Sequence, residues 1–257
     1  MRVLNHSLDL EQFYKDLDAS RDRVLMLDYD GTLAPFRNER EHAYPYPELI
    51  PVLRKLADST RTRLIIVSGR SVEMLKMLLG MDKLPEVWGC HGLEHLSRNG
   101  EYSLKPLDPD TRKGLEEIEN WVRSNDLEQY VERKPSGIAF HWRGLPEAEA
   151  KQIREKVTGD WTGKIEQFHL AVYEFDGGLE LRMHEISKAD AVAEILNDSS
   201  PGATLAYCGD DFTDEDAFRA LGEHGLKVLV RTELRDTEAD LWLIPPDELV
   251  EFLRRWI

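Results

Sequence analysis

The chain has 257 residues, 41% of them hydrophobic and 32% charged, with a formal charge of −16. That length suits one large domain or a core domain with an insert, and the composition suits a soluble globular enzyme. The acidic balance argues against a nucleic-acid or anionic-membrane partner, no window approaches 18 apolar residues, and Met1 to His6 lack the apolar core of a signal peptide, so a cytoplasmic protein is expected.

In chain order, residues 9–18 are predicted to open the chain as a helix. The run Val24-Leu25-Met26-Leu27 predicts a buried parallel strand over 24–28, leading into Asp28-Tyr29-Asp30-Gly31-Thr32-Leu33. Carboxylates two residues apart point the same way if strand geometry persists, so one can attack phosphorus while the other handles a proton. Gly31 permits an unusual backbone turn, and Thr32 offers a hydroxyl and an amide to phosphate oxygens. Alone, the stretch reads equally as a calcium loop or a plain turn. A loop through Pro45 and Pro47 follows, then a helix that turns Leu49, Val52, Leu53 and Leu56 inward. Strand 63–67 ends at Ser68-Gly69-Arg70, where Ser68 either hydrogen-bonds a phosphate oxygen or caps the next helix. A helix over 71–79 stops at Gly80, and strand 86–90 completes a β-α-β-α-β pattern with right-handed parallel crossovers. Cys90 and Cys208 each end a predicted core strand and read as buried free thiols.

The pattern changes after Pro106. Residues 109–125 are predicted helical, with Leu115, Ile118 and Val122 on one stripe. Ile138, Phe140 and Trp142 alternate with Ala139, His141 and Arg143, which predicts a half-buried strand. Residues 146–158 are predicted helical, and Phe168 to Phe175, Asp176-Gly177-Gly178 and Leu179 to Met183 read as a hairpin. An α+β module over 109–183 is therefore expected, inserted into a core formed by 1–108 and 184–257.

Lys188 follows Ser187 at the start of a helix with Ala191, Val192, Ile195 and Leu196 on one face. A lysine there opposes the helix dipole, which an anionic site would explain, although solvated surface is the usual reading of a lone lysine. The run 204–208 predicts a third core strand, ending at Gly209-Asp210-Asp211-Phe212-Thr213-Asp214-Glu215-Asp216. These acids read either as a cation site or as a helix start favoured by the dipole.

The ordered pieces Asp28-x-Asp30-Gly31-Thr32, Ser68, Lys188 and Gly209-Asp210-Asp211 resemble the haloacid dehalogenase (HAD) superfamily of phosphatases. The resemblance implies an α/β fold, a doubly wound parallel-sheet HAD core with an inserted α+β cap domain, and an active site at the carboxyl ends of the strands. A finer likeness runs through Leu27 to Pro35, Val67 to Arg70, His91-Gly92-Leu93-Glu94, Val131 to Lys134, Phe140 to Arg143 and Gly209 to Glu215. These segments are similar to trehalose-6-phosphate phosphatases. Two positions depart from that pattern. Met183-His184 stand where the family commonly has Arg-Pro after the acidic residue matching Glu180, and Ala189 replaces the glycine after the lysine.

The resemblance implies hydrolysis of trehalose 6-phosphate by a Mg²⁺-dependent phosphatase with an aspartyl-phosphate intermediate. Asp28 would be the nucleophile, and Asp30 would protonate the leaving sugar oxygen and then activate water. Asp28, the Asp30 carbonyl and Asp210 would hold Mg²⁺, with Asp211 and Asp214 as direct, water-mediated or lysine-orienting second choices. Lys188, Ser68, Gly69 and Thr32 would bind the transferring phosphate, with Arg70 as a further local cation. Glu132, Lys134, Arg143 and Glu180 would contact sugar hydroxyls, with Glu94 at the rim. Taken without the resemblance, Glu132, Lys134, Arg143 and Glu180 read as a surface salt-bridge ladder. Competing expectations are a phosphatase of the sucrose-phosphate or mannosyl-3-phosphoglycerate type, and a non-catalytic sugar-phosphate sensor. The expected partner is a small-molecule sugar phosphate, and the protein is expected to act as a monomer.

Overall fold

The apolar run before Asp28 forms an interior strand, and the rest of the larger sheet is arranged about it. The computed structural model describes residues 1–257 except Asn38, Asp176 and Glu185. In chain order the elements are β1 (Arg2–Val3), α1 (Leu10–Ala19), β2 (Arg23–Leu27), α2 (Ile50–Asp58), β3 (Thr62–Val67), α3 (Val72–Leu79), β4 (Glu86–Gly89), β5 (Glu94–Leu96), β6 (Tyr102–Leu104), α4 (Pro109–Ser124), β7 (Val131–Lys134), β8 (Gly137–His141), α5 (Glu147–Trp161), β9 (Leu170–Phe175), β10 (Gly178–Met183), α6 (Lys188–Asp198), β11 (Thr204–Gly209), α7 (Phe212–Leu221), β12 (Leu226–Val230), β13 (Leu241–Leu243) and α8 (Asp247–Arg254). They fall into two units, Met1–Ser103 with Ser187–Ile257, and Leu104–Ile186.

In the large sheet the strand order is β1-β13-β12-β11-β2-β3-β4-β5-β6. Pairing is parallel from β13 to β4 and antiparallel at β1 and β5. The period-2 alternation of strand side chains divides the core into two layers. Leu25, Leu27, Leu64 and Ile66 pack with residues of α1, α2, α3 and α8. Val24, Met26, Ile65 and Val67 pack with Ala191, Val192 and Ile195 of α6 and Phe218 of α7. Helices on both faces of a largely parallel sheet make the doubly wound α/β arrangement.

The second unit holds a four-stranded antiparallel sheet, β7-β8-β10-β9. One face buries Ile138, Phe140, Leu179 and Leu181 against Ile118 and Val122 of α4 and Ile153, Val157 and Trp161 of α5. The expected half-buried strand over 138–143 ends at His141 and is buried more fully: Ala139, on the other face, is also enclosed, and the Trp142 and Arg143 amides leave the ladder to donate to Gly177 O. The expected hairpin starts later, because Ile165–Phe168 form a 3-10 turn and His169 is left-handed with φ 52°. Asp176, expected in the hairpin turn, lies outside the described residues. Among the described residues, no helix is long and apolar enough to cross a membrane.

Candidate active site

β2 delivers Asp28 at its carboxyl end, where the Asp28 amide still donates to Cys208 O at 2.8 Å. The chain then folds tightly, with Leu33 and Ala34 amides donating to Tyr29 O at 2.8 and 3.0 Å. Gly31 has φ 78°, and a Cβ there would lie 2.1 Å from Asp210 Oδ2, so only glycine lets this loop rest on Asp210. Thr32 is enclosed, and its hydroxyl has no hydrogen-bond partner.

β3 delivers Ser68, buried beside the same loop's elements. Ser68 does not cap α3; Ser71 does, accepting from Met74 N at 3.2 Å. Ser68 Oγ instead accepts from Arg70 N at 3.2 Å. A Cβ on Gly69 would strike the His91 ring at 2.6 Å, so the glycine admits that ring. Arg70 grips Asp30 through two bonds of 2.7 Å and donates from Nη1 to Arg40 O at 2.9 Å.

Lys188 is the first residue of α6, behind a capping box formed by Ser187 and Asp190. It is only 4% exposed. Its ammonium donates to Asp28 Oδ1 and Asp214 Oδ1, both at 2.7 Å. This explains a cation at a helix start: buried carboxylates outweigh the unfavourable dipole. Asp214 is fully buried and also accepts from Tyr207 Oη at 2.7 Å and from the Asp210 and Asp211 amides at 3.0 Å. Four donors fill the lone-pair positions a carboxylate offers. Asp211 caps α7 and accepts from Phe212 N at 2.7 Å. Asp210 is buried, yet its Oδ1 has no partner.

Three buried carboxyls thus face one ammonium. Burial pushes the Asp28 carboxyl up, Lys188 pulls it back, Asp214 adds to the rise, and it ends at about 7. Burial, then the charges of Asp28 and Asp214, lift Asp210 well above its ordinary range. For Lys188 burial acts downward, but Asp214 and Asp28 outweigh it and the ammonium is held more firmly than in water. The two carboxyls rise first through burial and then through neighbouring acids, and the ammonium rises because those acids outweigh its burial. One oxygen each of Asp28, Asp210 and Asp214 lie within 4.8 Å of one another. This oxygen-only set, with the unpartnered Asp210 Oδ1, fits a hard divalent cation. Asp214 is the poorest ligand of the three because its acceptors are taken.

The expected residues divide between the units. Asp28, Asp30, Thr32, Ser68, Gly69, Arg70, Lys188, Asp210, Asp211 and Asp214 all lie in the first, around the carboxyl ends of β2, β3 and β11. Glu94, expected at the rim, is buried there and accepts from Val72 N and Tyr102 Oη at 2.8 Å and Cys90 Sγ at 3.3 Å. Its acceptors serve the packing of α3, β5 and β6. Residues outside the expected set also shape the loop: Arg231 Nη1 and Arg235 Nε donate to Asp210 O at 3.3 and 3.2 Å.

Glu132, Lys134, Arg143 and Glu180 lie in the second unit. Strand register sets two rows on the sheet face opposite α4 and α5: Glu132-Ala139-Glu180-Tyr173 and Lys134-Gly137-Arg182-Ala171. Lys134 Nζ spans from β7 to Glu180 Oε2 at 3.1 Å and lies 3.8 Å from Glu132. His141 Nε2 is 3.6 Å from Glu132. Ala139 and Gly137 form a low floor between charged walls. Glu180 Oε1 is buried without a partner, which does not fit a solvated surface ladder. Arg143 sits past the end of β8, its amide donating to Gly177 O at 3.1 Å. Tyr173 and Arg182 were not singled out from sequence; their place on this face follows only from strand period and register.

The trehalose-phosphatase family model matches residues 26–241. The bifunctional trehalose-6-phosphate synthase/phosphatase of Thermoproteus tenax is 30% identical over 87% of this chain and 30% of its own length. Trehalose-phosphate phosphatase B of Arabidopsis thaliana is 28% identical over 96% of this chain and 70% of its own. The chain therefore spans under a third of the first relative's length. Among solved structures, the C-terminal domain of C. albicans trehalose-6-phosphate phosphatase superposes with a TM-score of 0.77 at 20% identity, covering 98% of both chains. A haloacid dehalogenase-like hydrolase from Bacteroides thetaiotaomicron does so with a TM-score of 0.65 at 16% identity, over 92% of this chain and all of that one, and both are likenesses of fold. With a family model matching from β2 to β13, the chain belongs to the trehalose-phosphatase family.

Proposed function

We propose that the protein is a Mg²⁺-dependent phosphatase that hydrolyses trehalose 6-phosphate to trehalose and phosphate through an aspartyl-phosphate. The observation that carries this reading is Lys188, buried between Asp28 and Asp214 beside an unpartnered Asp210 oxygen. A carboxylate fixed by an ammonium at a strand end is suited to in-line attack on a phosphoryl group, with Lys188 ready to transfer to its oxygens. The Ser68 hydroxyl, the Gly69 amide and the orphaned Thr32 hydroxyl are further donors for those oxygens. Asp30 gives its proton to the departing sugar oxygen and later takes one from water, which requires it to exchange Arg70 for substrate. Arg70 is then available to a substrate oxygen. Asp28, Asp210 and the Asp30 carbonyl are the residues for Mg²⁺, which when bound would offset the charge of the cluster and polarise the phosphoryl group. Asp214 orients Lys188, and Asp211 positions α7.

In this reading residues 1–108 and 184–257 form the core and 109–183 a cap. The cap's Glu132, Lys134, Arg143 and Glu180 recognise the sugar. The protein works as a cytoplasmic monomer on a small-molecule sugar phosphate; its formal charge of −16 opposes such a substrate at long range, so local cations must hold the phosphate. Phosphate release from trehalose 6-phosphate, sucrose 6-phosphate, mannosyl-3-phosphoglycerate, glucose 6-phosphate and p-nitrophenyl phosphate, with Mg²⁺ and with EDTA, tests it. Preference for trehalose 6-phosphate with Mg²⁺ is expected. Preference for another sugar phosphate reassigns the substrate, and no turnover of any leaves a sensor.

A further inference from the structure

Arg182 lies between Gly137 and Ala171 in the second row of the cap sheet. It is 5% exposed, and its Nε and Nη1 have no hydrogen-bond partner. A guanidinium cannot shed its charge, so enclosed donors without partners are costly. A Cβ on Gly137 would come within 2.5 Å of Arg182 Cβ, so the small neighbours are what let the side chain lie down. It rests on Tyr173, with Cζ 3.9 Å from the ring centroid. Stacking fixes the plane of the fork before any ligand arrives. Glu180 Oε1, two residues back on the same face, is an equally orphaned acceptor.

A ligand that fits must accept from Arg182 and donate to Glu180. Sugar hydroxyls do both. A second anionic group would instead face the carboxylates of Glu180 and Glu132. We propose that Arg182, held flat by Tyr173, donates to hydroxyls of the uncharged ring of a disaccharide phosphate, and so helps set specificity; this rests on the function proposed above. Charged hydrogen bonds from Nε and Nη1, lost together, predict roughly a 100-fold effect.

The test compares wild type, Arg182→Met and Tyr173→Leu on trehalose 6-phosphate and p-nitrophenyl phosphate, with free trehalose and inorganic phosphate as inhibitors of the second reaction. Arg182→Met should lower kcat/KM for trehalose 6-phosphate about 100-fold, mostly through KM, and raise the inhibition constant of trehalose similarly. Turnover of p-nitrophenyl phosphate and inhibition by phosphate should stay near wild type, which also shows that the fold is intact. Tyr173→Leu should act in the same direction but less. Equal losses on both substrates in both variants make the pair structural and overturn the proposal. So does an Arg182→Met enzyme that keeps the wild-type preference and trehalose inhibition. A wild type that neither prefers trehalose 6-phosphate nor is inhibited by trehalose overturns the functional reading itself, and this proposal with it.

Discussion

Asp210 and Asp214 stand four residues apart in one acidic run, yet replacing each by asparagine should change stability in opposite directions. Asp214 accepts four hydrogen bonds, one from a buried ammonium. An amide has one oxygen, so its NH₂ must face two of those donors, and Lys188 loses half its compensation. Breaking a buried pair of this kind costs about 3–5 kcal/mol. Asp210 Oδ1 has no donor and Oδ2 meets the Arg231 guanidinium only at 4.0 Å, so an amide removes a charge the metal-free fold compensates weakly. The relief should be about 1–3 kcal/mol, the usual penalty for an unsatisfied buried group. Because burial and neighbouring acids raise Asp210 above its ordinary value of 3.8, its contribution to stability is full below that value and is lost as pH rises. The wild type therefore carries the penalty at pH 7.5, and the advantage of Asp210→Asn should vanish near pH 4. Urea denaturation in EDTA measures both variants, and thermal melts should show Tm shifts of roughly 2–4 °C per kcal/mol. Added Mg²⁺ should then stabilise wild type by about 2.7 kcal/mol at a hundred times its Kd, and Asp210→Asn far less. If Asp210→Asn is less stable than wild type in EDTA at pH 7.5, or Asp214→Asn matches wild type, the division into metal ligand and structural pillar is wrong.

Asp28→Asn should reduce turnover by several orders of magnitude with the far-ultraviolet spectrum unchanged; retention of a tenth of the wild-type rate would remove Asp28 as nucleophile. Lys134→Ala and Glu180→Ala should lower activity on trehalose 6-phosphate at least ~10-fold more than on p-nitrophenyl phosphate, because only the first substrate has hydroxyls for them. Glu86 tests the packing of β4: burial pushes its carboxyl up, but hydrogen bonds from His95, Arg63 and Trp88 and the Arg63 charge hold it at about 2. With the folded value below the unfolded one, Glu86 stabilises above about pH 4.5 by roughly 3 kcal/mol, a gain lost as pH falls toward 2. The stability gap to Glu86→Gln should shrink over that window, and a gap constant from pH 7 to 2.5 would contradict the assignment.

That Asp28, Ser68 and Asp210 would gather at one end of the larger sheet was legible because they follow apolar runs directly, and Lys188 stood out by opposing a helix dipole. The division of labour within the 210–214 run was not legible, because it depends on Tyr207, Lys188 and two backbone amides meeting one carboxylate. Nor could sequence pair Arg70 with Asp30, which are linked only across adjacent strand ends. Glu94 looked like a rim acid because the donors that enclose it, Val72 N and Tyr102 Oη, come from other elements. The short strands β5 and β6 offer too few residues for a period to register. Arg182 escaped notice for a similar reason, since its small neighbours lie on β8 and β9.

The position of β2 in its sheet has a consequence for the chain as it leaves the ribosome. One neighbour, β3, is made about forty residues later, but the other, β11, pairs Leu25 with Ala206. Until residues 204–209 emerge, an apolar strand in the middle of the future sheet has one bare edge, the kind of template that captures other chains. The whole second unit, Leu104–Ile186, can be synthesised, and its own apolar core closed, while the larger sheet still waits. Folding of the first unit is therefore a late, long-range closure, slow by its contact order and exposed to aggregation. Release-stalled chains ending before residue 204 should need a chaperone to stay dispersed, whereas chains extended beyond residue 243, with β11 to β13 in hand, should not.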